Sequence, residues 1–431
     1  MYKLFFLAII SFLTFISNSW GKDLSLNSAI EMAINNNFKI KEAEEFQNAA
    51  IEGSKSAFTD LFAKAYANYS YTALKDEPFQ KIMGTARPVS DKNVYHWDIM
   101  LIQPIFKGFS LSSNYNISKI AVKIKEFEKK QIISDIVQEV KIVYFETLLK
   151  KRIESVADDT VSSLKSHENN AQNFYKQGAI PYNDLLKSKV ALANAIQERE
   201  KAKAELKLSL SRLNIVIGKD INDDTTIEDI NKVDIKSYNL LELTKEALEK
   251  RPVLETLRLG IQNLDNSVKM AQSSYYPEIM LTCKYEQNGN DMGANTNDYS
   301  NAQNSSVSIL SKWMFFEWGK TRAEVAKQKF NKTAFMEKIK SAEDQIKLET
   351  KGAYLDVIVS ENNMKTAKEA MEQAQESFRI TNLQYLQRVN TSTEVLDART
   401  FLSQAETNYY KSLYGYMIAV GRLERAIGRY K

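Results

Sequence analysis

Two rhythms of hydrophobic and polar residues run through the 431-residue chain. Over most of its length apolar residues recur at three- and four-residue spacing, as in Ile117, Ile120, Ile124 and Phe127 and again in Ile133, Ile136, Val140 and Val143. That is the spacing of one helix face, and such a stripe needs a second helix to cover it. Four stretches alternate instead, with the period of a strand. The first, residues 63–73, sets Ala65, Ala67, Tyr69 and Tyr71 against Lys64, Asn68, Ser70 and Thr72. The second, 94–106, sets Tyr95, Trp97, Ile99 and Leu101 against His96, Asp98 and Met100. The third, 277–287, opposes Ile279, Leu281, Cys283 and Tyr285 to Glu278, Thr282, Lys284 and Glu286. In the fourth, 305–316, Val307, Ile309 and Trp313 oppose Ser306, Ser308 and Lys312.

The pattern occurs twice. "LSLNSAIEMAINNNF" (24–38) is similar to "YNLLELTKEALEKRP" (238–252), with Ile34 on Leu248, a spacing of 214. The same spacing places 63–71 on 277–285. Further on, "QPIFKGF" (103–109) falls on "WMFFEWG" (313–319), Gly178 on Arg388 and Asp184 on Glu394, all at a spacing of 210. A four-residue length difference between the paired strands accounts for the change. Each copy begins with a short helix (25–36; 240–250) and a longer one (38–61; 253–275). Two strands about a polar loop follow, then a very long helical stretch starting at Ser110 and Lys320. That stretch breaks once, at hairpin tips 176–184 and 386–394, and resumes to Ile217 and Ile427. The expected organisation is therefore a first repeat over 22–219, an acidic connecting segment over 220–237 and a second repeat over 238–431.

Composition agrees with long elements. The chain has 14 Gly and 6 Pro, well under the roughly 12 % that these two residues average together. The uninterrupted stretch from Ser110 to Lys176 would be about 100 Å long as one helix, too long to bury itself in one compact domain. Formal net charge is +4, which gives no reason to invoke nucleic acid. One cysteine, Cys283, and two distant histidines, His96 and His167, exclude an internal disulfide and offer no zinc-ligand set. No phosphate-binding loop or catalytic constellation appears, so no cofactor, metal or enzymatic activity is expected. The N-terminus, residues 1–21, carries Lys3, an apolar run from Leu4 to Ile16 and small residues at Ser17, Ser19 and Gly21. This is the pattern of a secretory signal peptide, and the run is short of the roughly 20 residues of a membrane-spanning helix.

An exported chain with alternating strands, aromatic residues among them and polar loops between has the signature of a membrane β-barrel. A half-buried sheet of a soluble domain alternates too, but no second apolar sheet is present to cover it. Four strands cannot close a barrel, and an open edge in lipid leaves backbone groups unpaired; three chains would supply twelve strands. A secreted coiled-coil scaffold without a pore would carry the same helices, and the repeated strand–loop–strand layout argues against it.

The segments "LSLNSAIEMAINNN", "SYYPEIMLTCKYE", "QPIFKGF", "WMFFEWGKTRAEVAKQ", "GAIPYNDLLKSKVALANA" and "RVNTSTEVLDARTFLSQAE", in this order with the repeat, resemble the TolC family of outer-membrane efflux proteins. The resemblance implies a mainly α fold with a β-barrel contribution: a homotrimer forming a twelve-stranded outer-membrane barrel continued by a periplasmic α-helical tunnel. It implies an exit duct for efflux or type I secretion, joined through a periplasmic adaptor to an inner-membrane pump of the RND or ABC type. Tyr69, Tyr71, Tyr95, Trp97, Ile99, Leu101, Ile279, Leu281, Val307, Ile309 and Trp313 would face lipid. Matching the family's tip motifs residue by residue puts Asp184, Glu394 and Asp397 at acidic pore positions and Tyr385 at the tyrosine that helps hold the pore shut. Asn390 stands where the family has an arginine, with Arg388 two residues away. The exposed tips, with Gly178, Ala179, Ile180, Arg388 and Val389, would dock the adaptor. Simpler roles exist for some of these residues: Thr391 to Glu394 also reads as a capping box, Asp184 suits the start of a helix, and Gly178 supplies a left-handed turn.

Overall fold

The computed structural model describes residues 23–230 and 235–429; the signal-peptide segment and part of the acidic connection lie outside them. The first half of the chain forms α1 (Leu26–Asn36), α2 (Phe38–Thr59), β1 (Lys64–Ala73), β2 (Phe79–Ile82), β3 (Thr85–Pro88), β4 (Asn93–Lys107), α3 (Ser110–Lys176) and α4 (Tyr182–Ile217). The second half forms α5 (Leu240–Lys250), α6 (Pro252–Gln272), a 3₁₀ turn (Ser273–Tyr275), β5 (Glu278–Gly289), β6 (Gln303–Lys312), α7 (Lys320–Leu386) and α8 (Ser392–Ala426). Local chemistry sets the boundaries. Ser25 and Asn239 cap α1 and α5 with their side-chain oxygens. Gly218, at φ 76°, ends α4 in the left-handed conformation. Neither Gly nor Pro interrupts the 67 residues of α3.

Contacts divide the chain into two compact units that cut across the halves. One comprises the described residues of Met1–Lys41, Ile132–Arg251 and Ile346–Lys431; the other comprises Glu42–Gln131 and Pro252–Gln345. In the first, Ala29 and Ala33 of α1 pack with Ile136, Val140, Tyr144 and Leu148 of α3, Leu213 and Ile217 of α4, and Tyr414 and Met417 of α8. The buried Tyr144 hydroxyl reaches the carbonyls of Leu24 (2.8 Å) and Glu228 (2.6 Å). It thereby fastens both chain segments that flank the bundle.

The second unit carries an antiparallel sheet of order β1-β4-β5-β6. β4 and β5 join the two halves, and β1 and β6 are edges without a partner among the described residues. The pairings within the two halves coincide: Lys64 opposite Ile102 corresponds to Glu278 opposite Lys312, and Ala73 opposite Asn93 to Gln287 opposite Gln303.

Two expectations need correction. The first loop is not merely polar chain: β2 and β3 form a hairpin in it, turning at Met83 and Gly84 with φ of 50° and 85°. Two successive positive φ values make the tight turn whose twist suits a hairpin. The last strand stops at Lys312, so Trp313 lies beyond it. β4 extends to Lys107 because β5 pairs with it past a bulge near Ile105, whereas β6 runs out of partner where β5 begins at Glu278.

Candidate functional site: the sheet faces and the hairpin tips

Register decides what each sheet face presents. Tyr69 lies opposite Trp97 and Tyr71 opposite Tyr95, the last two rings 4.7 Å apart. Ile99 and Leu101 continue onto Tyr285 and Cys283, and Leu281 and Cys283 onto Ile309 and Val307. Ile279 falls on the same side, beside Phe106. Aromatic residues thus mark both ends of an aliphatic middle, as on the lipid face of a membrane barrel. Polar tips at the far end are satisfied locally: the Tyr69 hydroxyl donates to Met292 O (2.9 Å) and the Trp97 indole to Gly293 O (3.3 Å). At the other end the indole of Trp313 donates to Tyr275 O (3.2 Å).

The opposite face carries a polar ladder at one end, while Tyr66, Met100, Ile102, Met280 and Leu310 lie on the same face toward the other. Asn68, Asp98, Glu286 and Asn304 stand abreast across all four strands, with Ser70, His96 and Asn288 in the adjacent row. Asn68 Nδ2 donates to Asp98 Oδ2 (3.0 Å), His96 Nε2 lies 3.0 Å from Asp98 Oδ1, and Lys284 pairs with Glu286. Asp98 is 5 % exposed, so its charge is held by these partners rather than by bulk water.

At the tips, α3 and α7 end alike. Gly178 N–H donates to Tyr175 O and Ala179 N–H to Phe174 O; Arg388 N–H donates to Tyr385 O and Val389 N–H to Gln384 O. This is the paired bonding of a Schellman turn. Gly178 (φ 70°) and Arg388 (φ 63°) take the left-handed position. Ala179 and Val389 are exposed and Ile180 half-buried. The Arg388 guanidinium lies over the Phe174 ring and donates to Gln177 Oε1 (3.0 Å), and Asn390 Nδ2 donates to Gln384 Oε1 (2.9 Å). Asp184 is half-buried, 3.5 Å from Lys187. Glu394 closes a capping box: its carboxylate accepts from Thr391 N–H (2.8 Å), and Thr391 Oγ1 accepts from Glu394 N–H (3.3 Å). Asp397 is exposed and makes no hydrogen bond or ion pair among the described residues. Tyr385 is 2 % exposed, packed on His167 and Phe174.

The family model of the outer membrane efflux protein matches residues 29–219 and 243–429. The chain belongs to the outer membrane efflux protein family. It is 22 % identical over 191 residues to the outer membrane protein TolC of Salmonella enteritidis, an alignment covering 43 % of this chain and 39 % of that relative. Its fold is that of a membrane protein from Pseudomonas aeruginosa (TM-score 0.78, 16 % identity, 94 % of this chain and 93 % of the other). It is also that of the Campylobacter jejuni CmeC outer membrane channel (TM-score 0.78, 17 % identity, 94 % and 85 %). As an outer membrane efflux protein the chain sits in the outer membrane and extends into the periplasm.

One tip residue of this efflux protein carried no signal in the sequence. His167, in the middle of a charged helical run, is 4 % exposed. Its Nε2 lies 2.8 Å from Ser392 Oγ, Ser392 Oγ lies 3.1 Å from Ser188 Oγ, and Ser188 donates to Asp184 O (3.0 Å). Nδ1 is buried without a hydrogen-bond partner among the described residues. The neutral ring with its proton on Nε2 starts a complete donor chain, His167 to Ser392 to Ser188 to Asp184 O. With Tyr385 stacked on the ring, this knot joins α3, α4, α7 and α8. Burial pushes the imidazole down to about 4 and raises the Tyr385 phenol above its usual range. Spacing gives no hint of this cluster, because four separate helices build it.

Proposed function

We propose that three copies close the four-stranded sheet into a twelve-stranded barrel. The apolar face meets lipid and the polar ladder lines an aqueous lumen. In this reading the protein is the passive exit duct of a tripartite efflux or type I secretion system, reached from an inner-membrane pump of the RND or ABC type through a periplasmic adaptor. The observation that carries it is the pair of unpaired edges, β1 and β6, on a sheet with an uncovered apolar face. In lipid such edges are tolerated only when the sheet closes on itself.

The hairpin tips are the proposed gate, and their exposed turns, Gly178 to Ile180 and Arg388 to Val389, the docking surface for the adaptor. Asp397, exposed and uncommitted, is the residue best placed to form a ring of three carboxylates, which favours cations. Asp184 and Glu394 share their charge with Lys187 and the Thr391 cap, and Asn390 braces its own turn through Gln384. Tyr385 acts from inside, holding the hairpins together through His167, rather than as a pore-lining ring. Purified protein in planar bilayers tests the proposal. Cation-selective steps from a heat-sensitive trimer support it; a detergent-free soluble monomer overturns it.

A further inference from the structure

The seam inside one chain describes the seam between copies. Under the repeat, β1 corresponds to β5 at a spacing of 214 and β4 to β6 at 210, and the ten paired positions of β1 with β4 become those of β5 with β6. The likeness extends to side chains. Gln103 Nε2 donates to Leu61 O, and at the corresponding positions Trp313 Nε1 donates to Tyr275 O. Gly108 and Phe109 take positive φ before α3, and Trp318 and Gly319 do so before α7. β4 therefore meets β5 as β6 would meet the β1 of another copy.

We propose that β6 of one copy pairs with β1 of the next in the register that β4 and β5 already use, setting Trp313 opposite Ala67, Ser311 opposite Tyr69, Ile309 opposite Tyr71, and Glu317 opposite Lys64. This inference rests on the reading that copies close the sheet, and it names how they do so. The transposed pairs set Trp313 beside Ala67 and Ile309 beside Tyr71 on one face, with Ser311 between them, and Ser308 opposite Thr72 on the other. They also conserve charge complementarity with the signs exchanged: Lys107 faces Glu278 within the chain, and Glu317 faces Lys64 between copies. A two-residue slip keeps the faces but opposes Trp313 to Tyr69 and takes Glu317 away from Lys64. The bulge at Ile105 transposes to Phe315, and residues 313–317 become the paired end of a longer strand. The absent partner explains why β6 stops short and why Phe315, Phe316 and Phe62 are exposed in one chain.

The seams also differ at the turn before the long helix. A Cβ on Gly108 would overlap the Ser273 carbonyl, yet the corresponding residue is Trp318, 91 % exposed. In the transposed seam Trp318 falls beside Thr59, the equivalent of Ser273, so a side chain there requires the two backbones to lie farther apart than Gly108 and Ser273 do.

Disulfide trapping tests the register. With Cys283→Ser as background, Ser311→Cys is combined with Tyr69→Cys, or with Ala67→Cys or Tyr71→Cys as slips in either direction. A two-residue slip moves the partner about 7 Å along the strand, beyond disulfide reach. Ser308→Cys with Thr72→Cys samples the other face, because inward and outward pairs alternate between close and wide spacing. Oxidation of protein in membranes is expected to give a covalent species of three chain masses for Ser311–Tyr69, Ser308–Thr72 or both, and none for the slips. Cross-linking of a slipped pair overturns the register while leaving the closed barrel standing. So does a heat-sensitive trimer that cross-links at none of the pairs. A protein that is monomeric before any substitution overturns the register and the channel reading together.

Discussion

Acidification should loosen the hairpin tips through His167. In the closed tip the ring is neutral, with a titration point of about 4 against 6.5 for a free imidazole. Protonating Nδ1 would bury a charged N–H that has no acceptor. Between pH 6.5 and 4 the opened tip binds more protons than the closed one, so stability of the closed state falls as pH falls through that window and is unaffected above it. At pH 5 these two values give a penalty of about 2 kcal/mol per chain, or about 30-fold more opening. Glu406, whose carboxyl is raised by burial, acts in the opposite direction and cannot mimic the effect. Hydrogen exchange of peptides spanning the tips, corrected for intrinsic rates, measures opening at pH 7.5 and 5. Wild-type protein is expected to open more at pH 5 and His167→Gln to lose the difference. An equal pH response in both proteins would show that His167 does not carry the pH dependence.

Further outcomes follow from other parts of the structure. Asp397→Asn should lower cation selectivity in planar bilayers without altering thermal stability, whereas Glu394→Ala should cost about 1 kcal/mol by removing half of the α8 capping box; unchanged selectivity in Asp397→Asn removes that residue from the channel. Gly108→Ala combines a left-handed φ with overlap on Ser273, while Gly319→Ala meets open space. Thermal unfolding should show the first costing several kcal/mol and the second about 1 kcal/mol. Arg429 and Lys250 hold the Glu246 carboxyl down to about 2, so this clasp stabilises above pH 4.5 and is lost as pH falls toward 2. Arg429→Ala should flatten that part of an acid-unfolding curve.

Much of the architecture was legible because it depends on periodicity. The long helices announce themselves by apolar residues such as Ile117, Ile120 and Ile124, and the sheet faces by alternation, which the register then aligns across four strands. The β2–β3 hairpin was hidden in a polar loop, since its turn is made by Met83 and Gly84 rather than by the usual Asn-Gly or Asp-Gly signal. The end of β6 is not legible from alternation, which continues to Trp313 while pairing within the chain stops at Lys312. At the tips, the capping box at Thr391 and the turn at Gly178 are local and could be read directly. Burial of Tyr385 and His167 comes from helices far apart in sequence, and no spacing along one of them reveals it. Asp184, Glu394 and Asp397 looked alike as acidic residues near a break; only their hydrogen-bond partners separate a committed carboxylate from a free one.

The proposed channel requires one face of the sheet to touch lipid and the other water. Cys283 points to the apolar face and Thr282 to the polar one. A fluorophore on native Cys283, and one on Thr282→Cys in a Cys283→Ser background, measure the two faces in reconstituted membranes. A lipid-confined quencher should act on the first and a water-soluble quencher on the second. Equal quenching at both positions, or the reverse assignment, would mean that the sheet does not separate lipid from water in this way.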